Sequence, residues 1–194
     1  MTDGEDGGCV LVEGEGSILT AEHMAVSDCQ VLDQGGGPFF AHLGGGIAAT
    51  AGAQLRLDGV QVERCRSNGG GGIALQGSSG AFTDCWLQGC TTNLATSIGA
   101  TGAGIYLMGR SVATGHGGGI ANCSSEHGYG GGMYCVDSSY EMRDATISGC
   151  RAKGFGATFA GSGYLGDTEA PSTGNHTDVS ISDWCARTLD HAPT

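Results

Sequence analysis

A histidine and several aspartates recur at one position of a repeating pattern, which makes them the first candidates for chemistry. Asp58, Asp84 and Asp144 each stand eleven residues after an apolar marker residue, and His116 takes that position in a further copy. Arg143 directly precedes Asp144. Carboxylates, an imidazole and a guanidinium that meet in one cleft can perform acid–base chemistry, so the candidate catalytic residues are His116, Asp84, Asp144 and Arg143.

The same aspartates suggest a cation site. Carboxylates stacked on neighbouring strands about 4.8 Å apart repel one another unless something compensates their charge. Asp58, Asp84 and Asp144 are therefore the candidate calcium ligands, and no other cofactor is expected. A structural alternative stands beside both interpretations. An aspartate at a corner of the chain accepts hydrogen bonds from backbone amides two residues ahead, and His116 would be a corner residue of the same kind.

The elements that must position these residues come from a glycine-rich repeat. The segments GGGIAAT, GGGIALQGSS and GGGMYCVDSS begin at Gly44, Gly70 and Gly130. The residue after the glycines marks the start of each unit, and successive markers are 25 to 37 residues apart: Val10, Ile47, Ile73, Ile105, Met133 and Thr158. Repeats of this length are typical of solenoids and propellers.

Each unit predicts about three strands of three to five residues, bounded by Gly and Ser turns, and no segment shows helical periodicity. The fold class is therefore all-β, a single-stranded right-handed parallel β-helix (solenoid) of about six coils. We expect one β-helix domain over residues 1–194, as a piece of a longer solenoid with adjoining coils as its partners. Alternation predicts that Ile47, Ile73, Ile105 and Met133 face inward.

The residues that follow these markers are expected to face outward: Ala48, Ala74, Tyr106, Tyr134 and Phe159. Tyr106, Tyr134 and Phe159 would then form an aromatic stack across successive units. Stacked rings along a groove suit the apolar faces of sugars, so these three are the candidate carbohydrate-binding residues. Aromatic ladders also stabilise parallel sheets without binding anything.

The chain has nine cysteines and no CxxC pair, so a zinc site of the usual spacing is not expected. An aliphatic residue stands three positions before Cys65, Cys90, Cys123 and Cys150. Equivalent positions in neighbouring units would lie close enough for disulfides. A ladder of buried thiols is the interpretation that the pattern favours, because cysteine packs as a small apolar residue.

Charge excludes two classes of partner. Twenty acidic residues oppose eight basic ones, for a formal net charge of −12, which argues against binding nucleic acid or anionic membranes. No segment approaches the length of a membrane span, and MTDGEDGG has neither the basic nor the apolar region of a secretory signal. The expected location is extracellular or at the cell surface if the chain is part of a longer secreted protein.

The alternating GGGI and TISGC blocks resemble the right-handed β-helix repeats of the pectin-lyase-like superfamily. They are especially similar to the glycine-rich repeats of polymorphic outer-membrane and protist surface proteins. The resemblance covers roughly residues 7–185, and it implies the fold more strongly than an activity, since the superfamily contains lyases, hydrolases, epimerases and adhesins.

Two enzymatic motifs of that superfamily are only partly present. The segment TGHGGGI around His116 is similar to the histidine motif of polygalacturonase-type hydrolases, but the chain has no adjacent aspartates to match their paired-aspartate motif. The nearest match to their Asn-Thr-Asp motif, NHTD, lies downstream with an extra residue, and the only lysine, Lys153, sits in RAKG. A lyase of this superfamily would combine calcium with an arginine base, and Arg56 and Arg143 are the arginines near corners.

The leading hypothesis is a non-catalytic β-helix scaffold or adhesive module of a larger secreted or cell-surface protein, with glycans as its partners. The alternative is a carbohydrate-active enzyme, a polysaccharide lyase or glycoside hydrolase, that acts on acidic polysaccharide. An enzyme should bring several of its candidate groups into one cleft, whereas a scaffold should leave them as separate corner residues: Arg56, Asp58, Asp84, His116, Arg143 and Asp144.

Overall fold

The computed structural model describes residues 8–31, 43–92, 101–126 and 128–153, together with the backbone of 159–161 and 173–184. These residues form strands and turns and no helix. The strands are β1 (Val10–Glu13), β2 (Ile18–Glu22), β3 (Ala25–Ser27), β4 (Ile47–Thr50), β5 (Gln54–Asp58), β6 (Gln61–Glu63), β7 (Arg66–Ser67), β8 (Ile73–Gln76), β9 (Ser79–Thr83), β10 (Trp86–Gln88), β11 (Thr91–Thr92), β12 (Ile105–Met108), β13 (Val112–His116), β14 (Gly119–Ala121), β15 (Ser124–Ser125), β16 (Met133–Val136), β17 (Ser139–Ala152), β18 (Phe159–Gly161) and β19 (Thr173–Trp184).

The strands that follow the glycines form one parallel sheet, which we call the first ladder. Its order is β1-β4-β8-β12-β16-β18. Ile47, Ile73, Ile105 and Met133 are direct neighbours in register, so the predicted alignment of these markers is confirmed. The last step of the alignment is wrong by one residue, since Phe159, and not Thr158, pairs with Met133.

Two more ladders make up the larger sheet. The second ladder is β2-β5-β9-β13-β17, and the third is β3-β6-β10-β14-β17, so the long strand β17 takes part in both. All of these pairings are parallel. Strand β19 pairs with β17 in antiparallel orientation. A row of two-residue strands, β7-β11-β15, which the sequence did not predict, continues the third ladder past the cysteines.

The glycine triplet meets two separate backbone requirements. Gly70 has a φ of +63°, the left-handed conformation that glycine adopts at little cost. Gly71 lies against its neighbours so closely that an added Cβ would stand 2.5 Å from the Thr91 carbonyl oxygen and 2.6 Å from that of Ala103. The triplets therefore mark the corners at which each unit enters the first ladder.

The apolar core lies between the three ladders, and it is built from inward-facing residues such as Leu55, Leu75, Leu107 and Ile120, each at most 1% exposed. The opposite side of the first ladder is also covered, contrary to expectation. Ala48 and Ala74, expected to face solvent, are buried. Their neighbours on that side form a second small apolar cluster: Leu43, Ala74 and Tyr106, with Met108 and Tyr134 packed against it.

The turns between the first and second ladders alternate in length, which corrects the predicted corner alignment. Three residues, 51–53 and 109–111, follow β4 and β12, whereas only two follow β8 and β16. The longer turns hold two consecutive left-handed residues, as at Ala51 and Gly52. Asp58 and His116 therefore fall one position earlier than Asp84 and Asp144, and they align with Thr83 and Arg143.

Candidate functional site

A row of exposed side chains runs along the outer face of the second ladder, each at the last strand position of that ladder before the corner. In register these residues are Glu22, Asp58, Thr83, His116 and Arg143, which we call the outer column. They point outward because alternate residues of β5, β9, β13 and β17 fill the core.

An open groove of about 380 Å³ lies over β9, β13 and β17. Thr114 pairs in register with Glu141, and His116 pairs with Arg143, so neighbouring strands bring these four together. The remaining lining residues are Ala81, Phe82, Thr83 and Gly115. The groove thus joins two of the predicted catalytic residues, His116 and Arg143, with Glu141, which the sequence reasoning did not single out.

Short side-chain contacts connect these groups locally. His116 Nδ1 lies 3.3 Å from Asp144 Oδ2, and Arg143 Nε donates to Glu141 Oε1 over 2.7 Å. The side chains of His116 and Arg143 are 66% and 65% exposed. Exposed pairs of this kind contribute little to stability, because water weakens the attraction between the two side chains. The charged side chains at the groove are therefore open to solvent.

Asp144 contacts His116 from its corner beside the groove, whereas Asp84, Asp58 and Arg56 do not line the groove. Asp84 lies at the left-handed corner position with φ +47°, and its Oδ1 fills the space that a Cβ on Gly117 would need. Asp58 is separated from His116 by the intervening strand β9. Arg56 on β5 pairs in register with Ala81 on β9, so β9 also separates Arg56 from His116. These residues are distributed along the face instead of forming one constellation.

The predicted stack of calcium ligands is not formed as expected. Asp84 and Asp144 share the left-handed corner position, but Gly117 stands between them in the ladder order. Asp58 occupies the neighbouring outer column, so these aspartates are not adjacent copies. Within the parts of the chain that the structure describes, no three His, Cys, Asp or Glu side chains converge on one point as metal ligands would.

Of the predicted carbohydrate-binding residues, Tyr106 and Tyr134 do stack, with ring centroids 5.8 Å apart and planes 23° apart. Tyr106 is only 4% exposed, because the row that bridges Leu43, Gly69, Thr101 and Tyr129 lies beside it. Its burial raises the pKa of Tyr106 to about 12.

Tyr129 extends the stack beyond Tyr134 at a centroid distance of 6.2 Å, and both of these rings are partly exposed. Sequence reasoning missed Tyr129, although it directly precedes the glycine triplet at Gly130. Ala160 pairs with Tyr134, so the backbone register does not place Phe159 in this column. The Phe159 side chain lies outside the described residues.

A column of cysteines forms the inner edge of the third ladder. Cys29, Cys65, Cys90, Cys123 and Cys150, the thiol column, occupy equivalent positions, as the flanking registers and backbone hydrogen bonds show. The last four are free and buried, which confirms the predicted thiol ladder. Cys29 instead forms a disulfide with Cys9, and Cys135 is also disulfide-bonded.

The thiols of this column donate to backbone carbonyl oxygens of their own strand and of the preceding unit, as Cys90 does to Gln88 and Val62. Contacts with their neighbours and burial both raise the pKa of Cys65 and Cys123. The neighbouring thiols of Cys123 and Cys65 lower the pKa of Cys90. Cys85 is a further free buried thiol outside the column, and burial raises its pKa.

None of the described residues belongs to a helix long and apolar enough to span a lipid bilayer. Comparisons with protein-family models, with curated proteins and with solved structures each found no significant match. The function must therefore be argued from the groove, the tyrosine stack and the thiol column themselves.

Proposed function

We propose that the chain is a right-handed parallel β-helix that serves as a non-catalytic scaffold or adhesive module of a larger secreted or cell-surface protein. The fold part of this proposal is supported by ladders in which every unit places its strands beside those of the preceding unit. Connections between parallel strands of one sheet are right-handed in nearly all proteins, which gives the hand. The resemblance to pectin-lyase-like repeats agrees with this assignment.

The single observation that carries the non-catalytic part is the state of the candidate catalytic groups. His116 and Arg143 are about two-thirds exposed, and Asp84 fills a corner space. Arg143 pairs with Glu141 of its own strand, and His116 pairs with Asp144 at the corner of the neighbouring strand β17. A scaffold requires only that such residues keep the outer face soluble. Catalysis would require them to converge in a site that excludes water.

The partner class that this proposal names is glycan, and we assign the contact to Tyr129 and Tyr134. These two rings stack on each other and stay partly exposed, while Tyr106 is buried beneath the bridging row. An aromatic face beside polar backbone is suited to the apolar face of a sugar ring. Tyr106 then supports the stack from inside instead of touching the glycan.

A glycan array tests this assignment with matched variants. Tyr134→Leu keeps apolar bulk but removes the ring, and Trp86→Leu is the control, because Trp86 is a 44% exposed aromatic on β10 of the third ladder. We expect the wild type and Trp86→Leu to bind the same glycans and Tyr134→Leu to lose at least about tenfold in affinity. Absence of binding by the wild type, or equal binding by Tyr134→Leu, would remove the glycan contact.

The groove over β9, β13 and β17 favours the alternative, a lyase or hydrolase acting on acidic polysaccharide. Its argument is the proximity of Arg143, which could contact a uronate, to His116 and to the carboxylates Glu141 and Asp144. Inverting hydrolysis needs two carboxyl groups facing each other across the sugar and a water. Here Glu141 is engaged by Arg143 and Asp144 by His116, which makes this the second candidate.

A further inference from the structure

The corner after the third ladder holds one left-handed residue in each unit, directly before the cysteine of the thiol column. The units are in register here, as the hydrogen bond from the Asn122 amide to the Ser148 carbonyl oxygen shows. We call these residues the corner row: Asp28, Arg64, Gly89, Asn122 and Gly149. Asparagine adopts this conformation more readily than most residues that carry a side chain, so Asn122 suits a position that glycine holds in both adjacent units.

Asn122 also begins the sequence Asn-Cys-Ser, which has the Asn-x-Ser pattern of an N-glycosylation acceptor without proline in the middle. Cys123 is fully buried, but Asn122 is exposed, because the left-handed corner turns its side chain away from the core. Ser124 is half-buried at the start of β15. The acceptor amide therefore lies outside the core of the folded chain.

The two neighbours of Asn122 in the corner row leave space beside it. Apart from its chain neighbours, an added Cβ on Gly89 would come within 4 Å of one atom only, Arg64 Cγ at 3.8 Å. On the other side, Oδ1 of Asn122 takes the space that a Cβ on Gly149 would need. Asp28 and Arg64 instead fill the first two corners with a paired carboxylate and guanidinium. Asn122 thus has no side chain beside it in either adjacent corner, which leaves room for a bulky group.

We propose that Asn122 is an N-glycosylation site that carries an oligosaccharide in the folded protein. The donor is a lipid-linked oligosaccharide pyrophosphate. Asn122 Nδ2 loses a proton and bonds to the anomeric carbon of the first sugar, while the bond from that carbon to the pyrophosphate oxygen breaks and the lipid pyrophosphate leaves with the electron pair. Oδ1 takes no part in the transfer, so its position against Gly149 is kept.

The modification requires passage through a secretory compartment, so this inference rests on the proposed secreted or cell-surface location. The disulfides agree with that compartment. Cys9 is bonded to Cys29, and Cys135 is disulfide-bonded as well. Disulfides form and persist in oxidising compartments such as the endoplasmic reticulum, where oligosaccharides are also transferred. The free cysteines of the described residues are all buried, which shields them from oxidation there.

The full chain, directed into the endoplasmic reticulum of a eukaryotic host by an appended cleavable leader, tests the site. Soluble chains with an intact Cys9–Cys29 disulfide are treated with peptide N-glycosidase in heavy-oxygen water, which converts a glycosylated asparagine into labelled aspartate. Peptide mass spectrometry should find the label at position 122 in most of these chains. Absence of the label at this position, or a label confined to aggregated chains, would overturn the proposal.

Two variants assign the acceptor by gel mobility. Asn122→Gly removes the amide and keeps the left-handed corner, since Gly89 and Gly149 hold the adjacent corners. Ser124→Ala is the matched control, which leaves Asn122 in place and removes the hydroxyl that the acceptor pattern requires. Each variant should lose one glycosidase-sensitive mobility step relative to the wild type, and an unchanged number of steps in either would refute the assignment. The second acceptor sequence begins at Asn175, whose side chain lies outside the described residues, and any step that it causes stays in all three proteins.

Urea unfolding tests whether the folded corner accommodates the sugar. The glycosylated wild type and its glycosidase-treated form should unfold at the same urea concentration, because an exposed corner group displaces no core side chain. A clearly lower midpoint for the glycosylated form would contradict the site. Since the leader fixes the compartment, a missing label would remove this site and leave the scaffold proposal standing. A natural chain found in a reducing compartment would remove the proposed location instead, while the leader-directed chain would still be labelled.

Discussion

The thiol column and the outer column run along the same units but differ in how much they repeat. The thiol column presents cysteine at five successive positions, buried throughout. The outer column presents a different side chain each time, and all five are exposed: Glu22, Asp58, Thr83, His116 and Arg143. Both columns are set by equally regular backbone registers, so the backbone does not explain the difference.

Packing explains it. An interior side chain must fit beside the copies in the units before and after it, so one small residue that fits once fits in every unit. An outer side chain meets water and can change without changing the register. A residue type that repeats from unit to unit therefore indicates a structural role. A functional site on the outer face would instead be recognised by different polar groups that lie close together. The groove at His116 and Arg143 shows this only in part.

The largest difference in stability between interior and exposed positions should come from a substitution in the apolar core. Leu75 is 0% exposed, and Leu75→Ala should lower the free energy of unfolding by about 2–5 kcal/mol, since it removes packed methylene groups and leaves a cavity. Val112, 48% exposed on the outer face of β13, is the control, and Val112→Ala should change stability by less than about 0.5 kcal/mol. Chemical denaturation measures both, and similar costs would show that the faces are not distinct.

The second effect is a pH dependence of stability, and it tests whether the outward side of the first ladder is covered. The pKa of Tyr106 is about 12 in the folded chain and about 10 when unfolded. Tyr106 thus keeps its phenolic proton to a higher pH in the folded chain than in the unfolded chain. This contribution to the free energy of unfolding is fully present below pH 10, and it falls by up to about 2.7 kcal/mol as the pH rises towards 12.

Tyr106→Phe tests this predicted loss of stability at alkaline pH. The variant lacks the hydrogen bond to Thr101, so at pH 8 it should be less stable by about 1 kcal/mol. Its disadvantage should shrink between pH 10 and 12, where the wild type loses stability. Urea unfolding at a series of pH values measures the difference, and parallel curves for the two proteins would mean that Tyr106 is not buried as described.

The smallest effect belongs to an exposed corner. Arg64 donates to both carboxylate oxygens of Asp28 over 2.7 and 2.8 Å, which holds the pKa of Asp28 below its usual value of 3.8. The lowered value means that the pair stabilises the fold above about pH 3.8 and that this contribution disappears as the pH falls through the folded pKa.

Asp28→Asn isolates that contribution, and asparagine tolerates the left-handed φ of +58° at this position. The variant should melt slightly below the wild type at pH 6, and the two should coincide at pH 2. High salt should also narrow the gap, because both side chains are more than half exposed. A large gap that persists at pH 2 would contradict an ion pair as its cause.

The sequence was sufficient for the parts of the fold that packing repeats. Ile47, Ile73, Ile105 and Met133 align as predicted, and so do the free cysteines from Cys65 onwards. Both sets are interior, where the same residue type must recur. A signal of this kind survives changes in the length of the turns.

The candidate site was less predictable because it depends on those turns. One extra residue before β5 and β13 moves Asp58 and His116 out of the corner position that Asp84 and Asp144 hold. The burial of Tyr106 depends on single-residue bridges between distant segments, such as Gly69 with Thr101, which leave no periodic pattern. Counting from the marker residues captures neither effect.

Turnover of an acidic polysaccharide tests most directly the claim that the outer face is not catalytic. Polygalacturonate is incubated with the wild type and His116→Ala, in the presence and absence of calcium, and both unsaturated products and new reducing ends are measured. We predict no product above the protein-free control for either protein. Product that accumulates over many turnovers with the wild type and falls sharply in His116→Ala would contradict the scaffold and make the groove an active site.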